Sequence, residues 1–285
     1  MAVLFRNAEP DDLPACASAM YEAFKDIADR HNFPPDFPSA EIAGGLLGFM
    51  LDTAGFTATV AEEDGSVMGS IFVSHRSTVG GISVITVDPK FQNHTVGRQL
   101  MDQGMTLLRE RGHKRQQLVQ AGYHNRSLCL YAKLGFEASE MLSNMSGEPI
   151  SAKVEGRTVR AATSDDVEAC NALCRKVHGF DRAGELAAAV AQGGATVAES
   201  AGGITGYSTS VGFVGHGVGE TNDDLKALIA AAKEFAGPGI LIPTANGELF
   251  RWCLENGLRL VQQMTLMDTA PVGPANGVYW PSVLC

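Results

Sequence analysis

The sequence predicts a mixed α/β protein made of two related units. Three observations carry that reading. Short β-rich apolar runs alternate with stretches of helical period along the chain. The chain then restarts near residue 160. Arg6, Ala8, Asp11, Asp12, Ala15 and Cys16 recur as Arg160, Ala162, Asp165, Asp166, Ala169 and Cys170, six identities in eleven gapless positions. Between the two, Gly147 to Arg157 is polar and without period, as a linker is. The expected units are 1–148, a linker at 149–157, a second unit at 158–270 and a tail at 271–285.

Composition bounds the function. With 45% apolar and 19% charged residues, the chain is an ordinary globular one. A net charge of −10 speaks against a general nucleic-acid binder, because no basic field would draw in a phosphate backbone. It mildly favours cationic substrates. No apolar run is long enough to cross a bilayer. The start, MAVLFRNAEPDD, turns acidic too early for a signal peptide. A cytoplasmic protein without a membrane partner is therefore expected. The cysteines at 16, 129, 170, 174, 253 and 285 form no CxxC pair, and no histidine joins Cys170 and Cys174 at zinc spacing. Buried free thiols and no metal are expected.

In the first unit, Leu4 to Ala8 reads as an edge strand. A helix from about Asp11 to Arg30 follows, with an apolar stripe through Leu13, Ala17, Met20, Phe24 and Ile27. Asn32 to Pro38 breaks it with three prolines. Ser39 can cap a second helix running to Met50 or Asp52. Phe56–Ala61 and Val67–Ser74 form a hairpin around the turn pair Asp64-Gly65.

The stretch Ile82–Leu108 organises the unit. Ile82 to Val87 is a strand, stopped by Asp88-Pro89. A polar loop leads into a helix with Val96, Leu100, Met101, Gly104, Leu107 and Leu108 on one face. Strand, polar loop and helix start make an anion-holding device, since the first N–H groups lack partners and the dipole favours negative charge. Gly97 permits close approach, and Arg98 adds a charge suited to phosphate. A second block follows the apolar strand 117–121. Asn125 is placed to cap a helix that carries Tyr131, Gly135 is placed just past its end, and Phe136 begins the next strand.

Together these blocks resemble the GNAT acetyltransferases. Val87-Asp88-Pro89 followed by Gln92, Asn93, His94, Thr95, Val96, Gly97 and Arg98 is similar to that family's acyl-CoA pyrophosphate loop, Gln/Arg-x-x-Gly-x-Gly/Ala. Thr95 stands where the first glycine belongs; its hydroxyl suits phosphate, but its β-branch stiffens the turn. The segment Asn125 to Phe136 is similar to the family's N-x(5)-Y-x(3)-G-F. The resemblance implies that each unit is a central mixed β-sheet flanked by helices. It implies acetyl-CoA as co-substrate, held by Val87, Gln92, Asn93, His94, Thr95, Val96, Gly97, Arg98 and Asn125. It makes Tyr131 the acid that protonates the leaving thiolate. The join between the first two helices would border the acceptor site, so His31, Phe33, Phe37 and Phe49 either line a pocket or pack in the core.

The second unit keeps the rhythm and loses the chemistry. A helix follows Thr163 and another spans about Asp181 to Ala191. Strands are expected at 195–199 and 204–214. Asn222 would cap a helix running to Ala236. A strand at 240–242, a helix at 248–255 and a closing strand from Leu258 to Met267 complete it. Gly212, Gly215, Gly217 and Gly219 suggest a flexible loop, yet Asp223 and Asp224 at the next helix start would repel a pyrophosphate. Anchored on Gly257, the second block places Cys253 where Tyr131 stands. The second unit therefore reads as a degenerate GNAT repeat, with a tail packed across the interface or loosely ordered.

The expected reaction is acetyl transfer to the primary amine of a small-molecule or peptide acceptor by direct attack, with a base removing the proton. No glutamate lies in Ile82–Val87. Glu62, His75, His94 and His124 are base candidates by position only. A homodimer is compatible with the tandem plan. The alternatives are a catalytically silent acyl-CoA sensor and a protein-interaction scaffold.

Overall fold

The two halves open on the same ionic bracket. In β1 (Leu4–Asn7), Arg6 donates to both carboxylate oxygens of Asp12 at 2.7 and 2.8 Å and to Glu62 at 2.8 Å. In β7 (Thr158–Ala161), Arg160 repeats this toward Asp166 at 2.7 and 2.8 Å and toward Glu199 at 2.8 Å. Each aspartate also accepts from the backbone N–H three residues earlier, at Glu9 and at Thr163. A planar guanidinium suits such two-oxygen pairing. Each bracket thus ties an edge strand to a helix start and to the neighbouring strand.

The computed structural model describes residues 3–92 and 94–285. Asn93, one of the expected cofactor contacts, lies outside the described residues. After β1 the first half runs α1 (Leu13–His31), α2 (Ala40–Asp52), β2 (Phe56–Glu63), β3 (Ser66–Ser74), β4 (Gly80–Val87), α3 (Val96–Glu110), β5 (Gln116–Ala121), α4 (Asn125–Lys133) and β6 (Glu137–Ser146). After β7 the second runs α5 (Val167–His178), α6 (Ala183–Ala191), β8 (Thr196–Ser200), β9 (Gly203–Ser208), β10 (Gly217–Gly219), α7 (Asn222–Ala231), β11 (Ile240–Pro243), α8 (Gly247–Glu255), β12 (Arg259–Asp268) and β13 (Val278–Trp280).

One mixed sheet crosses both halves, in the order β1-β2-β3-β4-β5-β12-β6-β11. A second sheet, β13-β10-β9-β8-β7, belongs to the second half alone. The join is an exchange. β12 pairs antiparallel with β5 and β6, and β6 pairs with β11. The first half therefore gives its last strand, β6, to the second, and the second gives β12 to the first, while segment 149–157 connects the halves in sequence and the sheet runs on across them. α1 and α2 cover one face of the first half, where Met20, Leu47 and Met50 meet Val60, Phe72 and Val84. α3 and Phe136 cover the other, where Leu100, Met101 and Leu108 meet Ile71, Val73 and Leu118. This matches the expected mixed sheet flanked by helices.

Details depart from the sequence reading for local reasons. α4 is capped by His124, whose Nδ1 accepts from the Ser127 N–H at 3.3 Å, so Asn125 is the first helical residue and not the cap. α7 is likewise capped by Thr221 in a reciprocal box with Asp224, not by Asn222, and it ends at Ala231 well before Ala236. The glycines expected to form a flexible loop are packed. Gly217 and Gly219 lie in β10, and a Cβ on Gly217 would enter the Trp280 ring. The tail is ordered: β13 pairs with β10, and the Ser83 hydroxyl donates to the Leu284 carbonyl at 2.8 Å. Ser39 and Gly135 behave as expected. Ser39 accepts from the Ile42 N–H, and Gly135 takes a φ of +93° just past α4. All six cysteines are free. No helix of the described residues is long and apolar enough to cross a membrane.

Candidate active site

The site begins where β4 leaves β5. The two strands are parallel neighbours only over Gly80–Ile82 and Gln116–Leu118. At that point Ser83 is an extra residue in β4: Val73 pairs with Ile82 and Phe72 with Val84. Such a bulge bends its strand and reverses the alternation beyond it. Val84 to Val87 thus stay paired to β3 while diverging from β5, and an edge of unpaired backbone faces the gap. Backbone donors on such an edge are placed to hold a carbonyl oxygen.

α3 and α4 both start at the open end of this gap. Neither has an acidic residue in its first turn. The earliest N–H groups of α3 have no intrahelical partner, and Gln99 is the first to reach back, to the Thr95 carbonyl at 3.0 Å. Thr95 itself is left-handed, with φ +62° and ψ −10°, and its hydroxyl is spent on the His94 carbonyl at 2.6 Å. A β-branched residue there is strained, and glycine would not be. Gly97 is not left-handed; a Cβ there would meet Val87 at an ordinary 3.6 Å, so its smallness serves an approach from outside. Arg98 is exposed and faces only a 4.0 Å pairing with Asp102, which leaves its charge available.

The loop is tied down by Gln92. Its Nε2 donates to the Val87 carbonyl at 3.2 Å, and its Oε1 accepts from Arg126 at 3.2 Å. Arg126, absent from the sequence expectations, therefore brings a second cation from α4 to the mouth. Val87, Val96 and Tyr131 pack into one apolar cluster. Tyr131 has no hydrogen-bond partner among the described residues, and burial pushes its hydroxyl up to about 12. It stays protonated, as a proton donor must. Asn125 is exposed at the start of α4.

Beyond β5 a second wall forms. The ring of Phe33 stacks on Tyr123 at 4.3 Å and that of His31 lies 5.5 Å from it. Phe37 instead packs edge-on to Phe24, and Phe49 lies against Phe56, away from this wall. Asp36 accepts from Gln262 of β12 at 3.1 Å, and burial raises its carboxyl above the ordinary range. Of the base candidates, Glu62 is held by Arg6. His124 spends its acceptor nitrogen on the α4 cap, so its neutral ring offers only a donor. His75 bonds Thr57 and Arg111, and His94 sits exposed in the loop. Asp36 lies inside the proline-rich break of Asn32 to Pro38, whereas Tyr123 falls between the strand at 117–121 and the block that begins at Asn125. Gln262 lies far from both, 226 residues from the carboxylate it touches.

Residues 17–136 match the family model described as acetyltransferase (GNAT) family. A mycothiol acetyltransferase of Propionibacterium freudenreichii is 33% identical over 94 residues, which are 33% of this chain and 25% of that protein. The chain thus spans about a quarter of the length of that curated relative. In fold, a Pyrococcus horikoshii protein described as a candidate acetyltransferase superposes with a TM-score of 0.73 at 18% identity, covering 97% of this chain and 94% of that one. A GCN5-related N-acetyltransferase of Sphaerobacter thermophilus does so with a TM-score of 0.59 at 15% identity, covering 97% and 98%. The fold is therefore shared along nearly the whole of each chain.

Proposed function

From the premise that residues 17–136 form an acetyltransferase (GNAT) family domain, we propose that this protein moves an acetyl group from acetyl-CoA to the primary amine of a small-molecule acceptor. The observation that carries the reading is the gap between β4 and β5, with an acid-free helix start at its mouth and a protonated tyrosine packed inside. The N–H groups of Thr95 to Gly97, with Arg98 and Arg126, would hold the pyrophosphate. The unpaired edge of Val84–Val87 would polarise the thioester carbonyl. Tyr131 would hand its proton to the departing sulfur. Asp36 and the Tyr123–Phe33 stack would receive the acceptor, the carboxylate meeting its ammonium before deprotonation. The first unit, 1–148, would then carry the chemistry, and 158–270 would be a degenerate repeat that completes its sheet.

The strained Thr95 favours a second reading, an acyl-CoA binder without turnover. One experiment separates the two. Purified protein is titrated with acetyl-CoA and then assayed for free thiol release against a panel of primary amines, with Tyr131→Phe alongside. Binding plus amine-dependent thiol release, lost in the variant, supports transfer. Binding without release to any amine supports the silent sensor, and no binding removes both.

A further inference from the structure

The shape of the gap between β4 and β5 depends on how each strand is held. β5 is paired by β12, a strand of the second half. β4 is also gripped from the second half, on either side of its short pairing with β5. Before the strand, the Asp181 carbonyl accepts from the Ser77 hydroxyl at 2.8 Å and from the Thr78 N–H at 3.1 Å. Just after the pairing ends, the Leu284 carbonyl accepts from the hydroxyl of Ser83, the bulged residue, at 2.8 Å.

This second grip falls on the bulge itself. A bulge opposes two residues to one and leaves the extra residue outside the ladder. Here Ser83 and Val84 both turn toward the α1–α2 side. Ser83 bonds the tail, and Val84 packs in the cluster that holds Met20, Phe72 and Leu284. Ser83 is 8% exposed and Leu284 1%, so little water competes for the bond. The tail lies directly on the strand: a Cβ on Gly81 would come within 2.9 Å of the Leu284 carbonyl oxygen. The tail in turn is anchored elsewhere. The Ser282 hydroxyl donates to the Val214 carbonyl at 2.7 Å and accepts from the Leu284 N–H at 3.0 Å, and the Val283 N–H donates to the Phe213 carbonyl at 2.9 Å. Leu284 is thus a fixed point supplied by the second half.

We propose that Ser83 is a positioning residue for acetyl-CoA, and that the second half sets the divergence of β4 from β5 by holding it through Leu284. The inference rests on the acetyl-transfer reading of this cleft. The edge that faces the cofactor is Val84–Val87, and its direction is decided at Ser83. With the bond made, that edge is held in its diverging path. Without it, β4 samples paths on which the edge no longer meets the cofactor. Ser83 itself touches no reacting atom.

The test compares Ser83→Ala, Ser83→Thr, Ser282→Ala and the Ser83→Ala/Ser282→Ala double variant, all in the full chain. The first readout needs no cofactor. Hydrogen exchange of the β4 peptide is expected to quicken about two- to tenfold in Ser83→Ala, the population that one hydrogen bond controls. The second is steady-state kinetics. The KM for acetyl-CoA should rise by a similar factor, with kcat and the amine KM unchanged. Ser83→Thr keeps the hydroxyl and should restore both. Ser282→Ala loosens the tail without touching β4 and should reproduce the change, and the double variant should be no worse than the larger single, because both act through one contact. Additive effects, or an amine KM that rises equally, overturn the proposal. So does unaltered β4 exchange, whatever the cofactor does. A parent that binds no acetyl-CoA, with exchange that still responds to Ser83→Ala, overturns the catalytic reading and leaves the grip of the tail on β4 established.

Discussion

Replacing Thr95 by glycine is expected to stabilise this protein. Thr95 holds φ +62°, a conformation that costs an ordinary residue about 1–2 kcal/mol. Glycine returns about 0.5–1 kcal/mol of that through the freedom of its unfolded chain. The hydroxyl that is lost bonds only the exposed His94 carbonyl, which water can satisfy. The net gain is therefore about 0.5–1 kcal/mol, or about 1–3 °C in Tm for a chain of this size. Urea and thermal unfolding of Thr95→Gly and Thr95→Ala measure it. Alanine keeps the Cβ that creates the strain, so it should stay within about 0.5 kcal/mol of the parent. Acetyl-CoA should bind the glycine variant at least as tightly, because glycine adopts the same backbone without cost. A glycine variant less stable than the parent, or an alanine variant that gains equally, refutes the strain argument.

Other outcomes follow from the same geometry. Tyr131→Phe is expected to lower kcat by about 10²–10⁴ with little change in KM for acetyl-CoA, by steady-state kinetics. Because burial lifts Tyr131 to about 12, activity should not fall through this group until pH approaches that value; an earlier tyrosine-dependent alkaline limb in the pH–rate profile would contradict the assignment. Asp36→Asn should raise the KM for the amine and also raise Tm at neutral pH. Burial lifts the folded carboxyl above its unfolded value, so ionising it costs stability as pH rises through that window, and the gain should shrink on acidification through the carboxylate range. A Tm difference independent of pH would argue against it. Gly217→Ala drives a methyl into Trp280 and should cost about 1–3 kcal/mol in urea unfolding, whereas an unchanged midpoint would mean that β13 does not seal against β10.

The sequence revealed most of what is local. The recurrence of Arg6 and Asp12 as Arg160 and Asp166 could be read because seven residues of chain contain each pair, although the ionic bracket they form could not. The β4 strand, its proline stop and the amphipathic α3 were legible for the same reason. Caps were harder, since Asn125 and His124 both offer an acceptor and only the final turn geometry chooses between them. What pairing decides was not legible. The Ser83 bulge depends on the register of β3 against β4, and no spacing in the chain announces that Gln262 will reach Asp36 or that Trp280 will lie on Gly217. The order β5-β12-β6-β11 was hidden for the same reason: a duplicated sequence predicts two sheets as readily as one exchanged between halves.

During synthesis this exchange imposes a wait. Gln117 leaves the ribosome 151 residues before Asp268, its partner in β12. At about 5–20 residues per second that is roughly 8–30 s in which β5 and β6 present open edges. The amino-terminal half cannot close on its own schedule; its maturation is governed by β12 of its sibling. Where nascent chains are crowded, the strand that arrives first can come from a neighbour, and the same contacts then produce an intertwined pair of chains.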